Sequence, residues 1–170
     1  IAEDLGFITD TVKQLVKDSG FPNMKVLEFA FDDRDSSSSD YSENLYLPFN
    51  YTRNCVVYTG THDNETLRGW LDSITPQELK NVRRYLGAPK SVKKKTLADL
   101  LIRQALGSVA DMAIIPMWDY LRLDNSARIN TPSTLGDNWR WRMDSQAINK
   151  KTARKIRKFT SVYGRINKLD

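Results

Sequence analysis

Carboxylates stand at the ends of three short apolar segments that the sequence predicts to be β-strands. Glu3 closes the first segment, Asp32 and Asp33 follow the second, and His62 and Asp63 follow the third. In an eight-stranded α/β barrel, the carboxyl ends of the strands gather at one face, where active sites lie. Three acid-bearing strand ends that converge on one rim are typical of a catalytic site.

Each of these residues also has a structural interpretation. A His beside an Asp is commonly a hydrogen-bonding pair that only supports the fold. Glu3, taken alone, could equally be a carboxylate at the N-terminus of the next helix. A zinc site at His62 and Asp63 is excluded because no further His or Cys lies nearby to complete a ligand set. The sequence therefore predicts neither a metal nor a cofactor.

The elements that must position these residues alternate between strand and helix along the chain. The predicted strands cover residues 1–3, 24–31, 54–59 and 112–117, and the predicted helices cover 8–19, 65–71, 75–86, 97–111 and 153–163. This alternation, with almost wholly apolar strands, predicts a parallel α/β fold whose sheet is covered on both faces. The polar segment 35–43, which contains four consecutive serines, is predicted to be a solvent-facing insertion rather than a domain linker.

Four such strands fit either a doubly wound sheet or half of an eight-stranded barrel. A nucleotide-binding doubly wound fold loses support, because no Gly-x-Gly-x-x-Gly follows the first complete strand and no Walker loop is present. The carboxylates at successive strand ends favour the barrel.

Composition and charge are those of one ordinary globular domain of 170 residues. Cys55 is the sole cysteine, so an internal disulfide is excluded, and its place in an apolar strand predicts a buried side chain rather than a nucleophile. Much of the net charge of +5 comes from the predicted last helix. A solvated basic face is the simpler interpretation of that helix, and nucleic-acid binding is the alternative.

The sequence starts with Ile1 and continues directly into a predicted strand. Its first residues contain neither the basic region nor the long apolar run of a signal peptide. We therefore expect the sequence to begin inside a longer polypeptide and to carry no signal peptide. No stretch approaches the ~20 apolar residues that span a bilayer. The expected location is the cytoplasm, without a membrane partner.

Five motifs follow one another along the chain. They are Ala-Glu-Asp-Leu-Gly-Phe-Ile-Thr (2–9), Met-Lys-Val-Leu-Glu-Phe-Ala-Phe-Asp (24–32), Val-Tyr-Thr-Gly-Thr-His-Asp-Asn-Glu-Thr (57–66), Ser-Ala-Arg-Ile-Asn-Thr-Pro (126–132) and Asn-Trp-Arg-Trp-Arg (138–142). Together and in this order they resemble the motifs of amylomaltases, the 4-α-glucanotransferases or disproportionating enzymes of the α-amylase clan. The resemblance runs from residue 1 to about residue 165.

The resemblance implies a (β/α)8 barrel, of which residues 1–170 supply the last four strands and helices as part of a single domain. It implies that Glu3 is the general acid/base. It also implies that Asp63 is a further carboxylate that holds sugar hydroxyls and stabilises the transition state.

Four other positions match sugar-binding residues of that family. His62 would donate a hydrogen bond to the same sugar as Asp63, and Asn130 would contact the glucan. Phe29 and Asp33 would line the sugar site. The tryptophans and arginines of segment 139–142 could also bind a glucan or a nucleic acid, but packing of the last loop is the preferred interpretation.

The family's nucleophile, an Asp on the fourth strand, has no counterpart in this sequence and would lie upstream of residue 1. Asp4 cannot replace it, because Asp4 and Glu3 are neighbours on a strand and point to opposite faces. The implied protein is the C-terminal half of a cofactor-free enzyme that transfers α-1,4-glucan segments between maltodextrins, with the N-terminal half as its partner. The isolated chain is predicted to be inactive. The alternatives are a non-catalytic carbohydrate-binding fragment and a basic nucleic-acid-binding domain.

Overall fold

A parallel three-stranded sheet forms the centre of the computed structural model, which describes residues 1–6, 8–32 and 41–166. The strands are β1 (Asn23–Val26), β2 (Cys55–Tyr58) and β3 (Met112–Ile114), hydrogen-bonded in the order β1-β2-β3. Ala2 adds a parallel bridge to Asn23 on the free edge of β1. Segments that neighbour each other in the sheet are therefore consecutive in the chain, and the predicted parallel α/β arrangement is confirmed.

Six α-helices lie in the described part of the chain. They are α1 (Asp10–Ser19), α2 (Leu67–Ser73), α3 (Pro76–Tyr85), α4 (Lys94–Gly107), α5 (Met117–Leu121) and α6 (Lys150–Val162). Local sequence sets several of their ends. The hydroxyls of Thr9, Thr66 and Thr75 each accept an N-terminal backbone N–H, which satisfies a donor that has no partner within the helix. Gly20 ends α1 in the left-handed conformation, with φ of 68°.

The two faces of the sheet have different surroundings. Val57 and Ala113 point to the helix side, where they pack with Leu97, Leu101 and other apolar residues of one core cluster. On the opposite face, Met112 and Ile114 are each 42% exposed. The helices therefore cover one face of the sheet and leave the other partly open.

Two predicted strands are too long. In segment 24–31, β1 ends at Val26 and Leu27–Phe31 forms a 3-10 turn. Residues three apart share one side of such a turn, so both Leu27 and Ala30 enter the core, whereas an extended strand would send its residues alternately to both faces. In segment 112–117, β3 ends at Ile114 and Pro116 instead precedes the short helix α5, since proline has no N–H to donate to a strand.

The remaining sequence expectations have mixed outcomes. Cys55 is buried, as predicted, and its thiol donates to the carbonyl of Thr52 at 3.0 Å. Most of the predicted insertion 35–43, and with it Asp33, lies outside the described residues. In residues 1–6, 8–32 and 41–166, no helix has the length and apolar character needed to traverse a bilayer.

Candidate active site

An open cavity of about 650 Å³ lies at the carboxyl ends of the strands. Glu3, His62 and Asp63 line it together, with Tyr58 at the end of β2 and Trp118 at the start of α5. The sheet brings these residues to one edge because parallel strands all end on the same side. Three of the sequence-predicted site residues are thus neighbours of one cavity.

The segment that carries Glu3 is held by its neighbour. Asp4 accepts hydrogen bonds from the backbone N–H of Met24 at 2.8 Å and from the side chain of Asn23 at 3.2 Å. Glu3 is exposed and accepts the N–H of Leu5 at 3.3 Å. Asp4 thus ties the segment to β1 while Glu3 remains available on the cavity side, which agrees with the predicted opposite orientation of the two carboxylates.

The carboxylate of Asp63 has two side-chain partners at one of its oxygens. Nε2 of His62 lies 3.2 Å from Oδ1 of Asp63, and Nδ2 of Asn130 donates to the same oxygen at 2.5 Å. Arg128 donates to the backbone carbonyl of Asp63 at 2.7 Å. Asn130, which is 67 residues away in the chain, therefore joins His62 and Asp63 in one polar group.

We call segment 60–66 the acid loop. Asp119 of α5 contacts the residues at both ends of this loop. Asp119 is buried, with 1% of its surface exposed. Its Oδ2 accepts the hydroxyl of Thr59 at 2.6 Å and its Oδ1 accepts the N–H of Leu67 at 2.8 Å. Thr59 and Leu67 flank the acid loop on either side. Burial raises the pKa of Asp119 to about 6, although the two hydrogen bonds act in the opposite direction.

Asn125 makes a second attachment at the end of the acid loop. Its Oδ1 accepts the N–H of Thr66 at 3.2 Å, and its Nδ2 donates to Glu65 at 2.7 Å. A Cβ at Gly69 would collide with the side chain of Asn125. Glycine at position 69 therefore lets helix α2 lie directly against this contact.

A second buried carboxyl group, that of Glu28, lies beneath the start of the acid loop. Its backbone N–H donates to the carbonyl of Thr59 at 3.2 Å. Its Oε1 has no hydrogen-bond partner among the described residues and would stand 3.0 Å from a Cβ at Gly60. Burial, followed by the nearby charges of Asp119 and Glu65, raises the pKa of Glu28 well above its usual range.

Phe29, one of the predicted sugar-site residues, is not brought to the cavity. Phe29 is half-buried, and its ring packs edge-on against Tyr46 with centroids 5.3 Å apart. It is not among the described residues that line the cavity. Asp33 lies outside the described residues, so the predicted sugar-site roles of both residues stay predictions.

The tryptophan-rich segment lies closer to the site than the packing interpretation suggested. The ring of Trp139 lies 5.3 Å from that of His62, and Trp141 packs edge-on against Trp118 at 5.9 Å. Arg142 donates to the backbone carbonyls of Trp139 and Trp141, which supports the loop itself. The segment therefore both packs locally and borders the acid loop.

The chemistry available at this cavity is that of acids and hydrogen-bond donors. Within the described residues, no group of three or more His, Cys, Asp or Glu side chains is arranged to hold a metal ion. An exposed carboxyl group at Glu3 and an oriented carboxylate at Asp63 can transfer protons and face a developing positive charge. Such acids around an open cavity at the strand ends are the arrangement of an α/β enzyme site.

Comparison with known proteins shows to which family of α/β enzymes the chain is related. The family model for 4-α-glucanotransferase matches residues 1–148. The 4-α-glucanotransferase of Clostridium butyricum is 44% identical over 165 residues, covering 97% of this chain and 32% of the relative. The chloroplastic/amyloplastic 4-α-glucanotransferase of Solanum tuberosum is 44% identical over 169 residues, covering 98% of this chain and 28% of the relative. The chain therefore belongs to the 4-α-glucanotransferase family.

Solved structures agree with this assignment. The amylomaltase of Streptococcus agalactiae in complex with acarbose superposes with a TM-score of 0.86 at 30% identity, over 97% of this chain and 32% of that one. The amylomaltase of Corynebacterium glutamicum, at 15% identity and a TM-score of 0.60 over 93% of this chain and 28% of that one, supports the fold alone. The chain spans about a third of the length of the relatives that it matches.

The sequence interpretation missed the residues beneath the site. Asp119 stands in Pro-Met-Trp-Asp-Tyr, which was assigned partly to a strand, and Glu28 appears in an apolar motif as an ordinary strand residue. Their one sequence signal is an acidic residue within an apolar segment, which is uncommon in a core unless the acid has partners.

Proposed function

We propose that this chain supplies part of the active site of a 4-α-glucanotransferase that transfers α-1,4-glucan segments between maltodextrins. Glu3 acts as the general acid/base and Asp63 stabilises the transition state. The observation that carries the proposal is that Glu3 and Asp63 line one cavity, with the Asp63 carboxylate oriented by His62 and Asn130.

The proposed reaction is a retaining double displacement. Retention requires two carboxyl groups on either side of the scissile bond, one as nucleophile and one as acid/base. Glu3 protonates the departing glycosidic oxygen while the nucleophile forms a glycosyl-enzyme bond. Glu3 then takes the proton from the 4-hydroxyl of an acceptor sugar, which displaces the nucleophile. The nucleophilic Asp belongs to a part of the enzyme outside these residues.

Asp63 and its neighbours act on the sugar rather than on the leaving group. The ionised carboxylate faces the positive charge that develops on the sugar ring. Asn130 and His62 hold its Oδ1, which leaves Oδ2 as the oxygen that accepts sugar hydroxyls. His62 also presents its ring beside that of Trp139, so an aromatic surface adjoins the bound glucan.

We further propose that the sheet is the second half of a (β/α)8 barrel. Its supports are the consecutive order of Ala2, β1, β2 and β3 in one parallel sheet and the exposure of Met112 and Ile114 on the face away from the helices. Parallel sheets are normally covered on both faces. The first half of the barrel would cover the exposed side chains and complete the cavity. The cytoplasmic location remains a prediction.

The test is transfer by the full-length enzyme that contains this chain. Incubation with maltotriose should give glucose and a ladder of longer maltodextrins, resolved by chromatography. Glu3→Gln should lower the transfer rate by about 10²–10⁴-fold, the usual contribution of a general acid/base. Asp4→Asn is the matched control, because Asp4 ties the same segment to β1 without facing the cavity.

The outcomes separate the proposal from its alternatives. If the enzyme binds maltodextrins but produces neither glucose nor a ladder, the chain serves a binding role and the proposed activity is wrong. If transfer survives in Glu3→Gln, another residue is the acid/base.

A further inference from the structure

Two buried carboxyl groups, Glu28 and Asp119, lie behind the cavity and have no part in the chemistry described above. We propose that Asp119 is a positioning residue, whose carboxylate bridges the two ends of the acid loop and so sets where Asp63 and His62 stand. This inference rests on the proposed function, in which Asp63 stabilises the transition state.

The geometry of the bridge is specific to the acid loop. One oxygen of Asp119 accepts from Thr59 at 2.6 Å and the other from Leu67 at 2.8 Å. Thr59 immediately precedes the loop and Leu67 immediately follows it. A single rigid side chain thus fixes the separation of the loop's two ends, and it does so from helix α5, outside the loop's own sequence.

The bridge is not replaceable by solvent. Thr59 is fully buried and Asp119 is 1% exposed, so water does not reach the hydroxyl, the N–H or the carboxylate in the folded chain. A buried donor that loses its acceptor is energetically unfavourable. Without Asp119, the loop can satisfy these donors only by moving its ends towards water, and Asp63 would move with them.

The second buried acid beside the bridge, Glu28, also lies near Glu65, whose charge raises the Glu28 pKa, and near the guanidinium of Arg128, which lowers it. Glu28 and Asp119 are near enough for the charge of Asp119 to oppose ionisation of Glu28. Asp119 has two hydrogen-bond donors, whereas Oε1 of Glu28 has no partner in the described residues. Of the two acids, Asp119 is the one whose ionised form is stabilised by the loop, and Glu28 fills space against Gly60.

The experiment compares three variants of the full-length enzyme. Asp119→Leu keeps the branched shape of the side chain and removes both acceptors, so kcat should fall by about 10²-fold, the effect of an active-site displacement of about 1 Å, while KM changes much less. Asp119→Asn retains an acceptor for Leu67 and can donate to Thr59. Its kcat should stay within about tenfold of the wild type, the effect of one weakened hydrogen bond. Thr59→Val removes one end of the bridge and should give an intermediate loss.

Hydrogen–deuterium exchange supplies a readout that does not depend on activity. Asp119→Leu should accelerate amide exchange in peptides covering 60–66 by about tenfold or more, because the loop opens locally. Peptides covering α6 should be unchanged. Asp99→Asn is the matched control: Asp99 is also buried, but it pairs with Arg122 and Lys155 away from the loop. This control should leave exchange in 60–66 and kcat close to wild-type values.

Three results would overturn the inference. The first is unchanged exchange in 60–66 in both Asp119→Leu and Thr59→Val. The second is a kcat for Asp119→Asn as low as that for Asp119→Leu with wild-type exchange, since the charge and not the bridge would then matter. The third is an equal effect of Asp99→Asn. If the wild-type enzyme shows no transfer from maltotriose, the proposed function fails, and the exchange arm alone then decides whether Asp119 positions the loop.

Discussion

The two acid-bearing regions of the site are held in different ways. The acid loop is fastened by Asp119 and Asn125 at its ends and by Arg128 and Asn130 at Asp63. The segment that carries Glu3 is joined to the sheet by one bridge at Ala2 and by the hydrogen bonds of Asp4. Contacts within this chain therefore hold Asp63, the proposed transition-state stabiliser. Glu3 has fewer such contacts, so its position also depends on the part of the enzyme that covers the exposed face of the sheet.

The largest expected effect comes from the acid loop itself. Asp63→Asn removes the charge but keeps the contact with Asn130, so kcat for maltotriose disproportionation should fall by about 10²–10³-fold, as when one preorganised electrostatic group is lost. Steady-state kinetics of the full-length enzyme measure this effect. Asn130→Ala, which leaves the charge and removes one of the two side-chain contacts at Oδ1 of Asp63, should cost less. Equal losses in the two variants would mean that orientation matters as much as charge.

Next in size is the pH dependence that Asp119 gives to stability. Its pKa is about 6 in the folded chain against 3.8 as the ordinary value, so between these values the folded state binds more protons than the unfolded state. The contribution of Asp119 to the free energy of unfolding is therefore fully present below pH 3.8 and is lost as the pH rises through about 6. The loss amounts to at most about 3 kcal/mol, from 1.36 kcal/mol for each unit.

Urea unfolding with and without Asp119→Asn, at several pH values from 4 to 7, checks this prediction. The difference in unfolding free energy between the two proteins should change in favour of Asp119→Asn as pH rises. Both proteins carry Glu28→Gln, because the charge of Asp119 raises the pKa of Glu28 and the two acids would otherwise titrate together. A difference that is constant with pH would contradict the raised pKa of Asp119.

A smaller effect is expected at the contact between α2 and the end of the loop. Gly69→Ala should destabilise the protein by about 1–3 kcal/mol, the usual range for overpacking, because the new Cβ collides with Asn125. Thermal unfolding measures the loss. Gly87→Ala is not a clean control because Gly87 has a left-handed φ of 60°. Ala98→Gly, in the buried face of α4, provides a comparable core change that should leave exchange in segment 60–66 unaltered.

The smallest effect should appear in the segment that carries Glu3. Asp4→Ala removes the acceptor for the N–H of Met24 and should cost about 0.5–1.5 kcal/mol, the net value of an ordinary hydrogen bond. Exchange at Met24 should accelerate, while exchange in the acid loop stays at its wild-type rate. Faster exchange in both regions would show that the Glu3 segment and the acid loop are coupled rather than held independently.

Much of the local structure could be predicted because it depends on neighbours in sequence. The predicted helix 75–86 agrees with α3, whose start the structure shows as a capping box: the hydroxyl of Thr75 accepts the N–H of Glu78, and the carboxylate of Glu78 accepts the N–H of Thr75. The apolar stretch around Val57 predicted β2. The end of β1 could not be predicted, because the 3-10 turn after Val26 is stabilised by core contacts with distant helices.

The sequence by itself determined the family, the alternation of strands and helices, and the identity of Glu3, His62 and Asp63 as site candidates, since these are properties of residue type and order. Only the tertiary structure decided how the acid loop is held. Thr59 and Asp119 are 60 residues apart, and Asp63 and Asn130 are 67 apart. No local pattern specifies such contacts, because they exist only after the parallel strands have brought their carboxyl ends to one edge of the sheet.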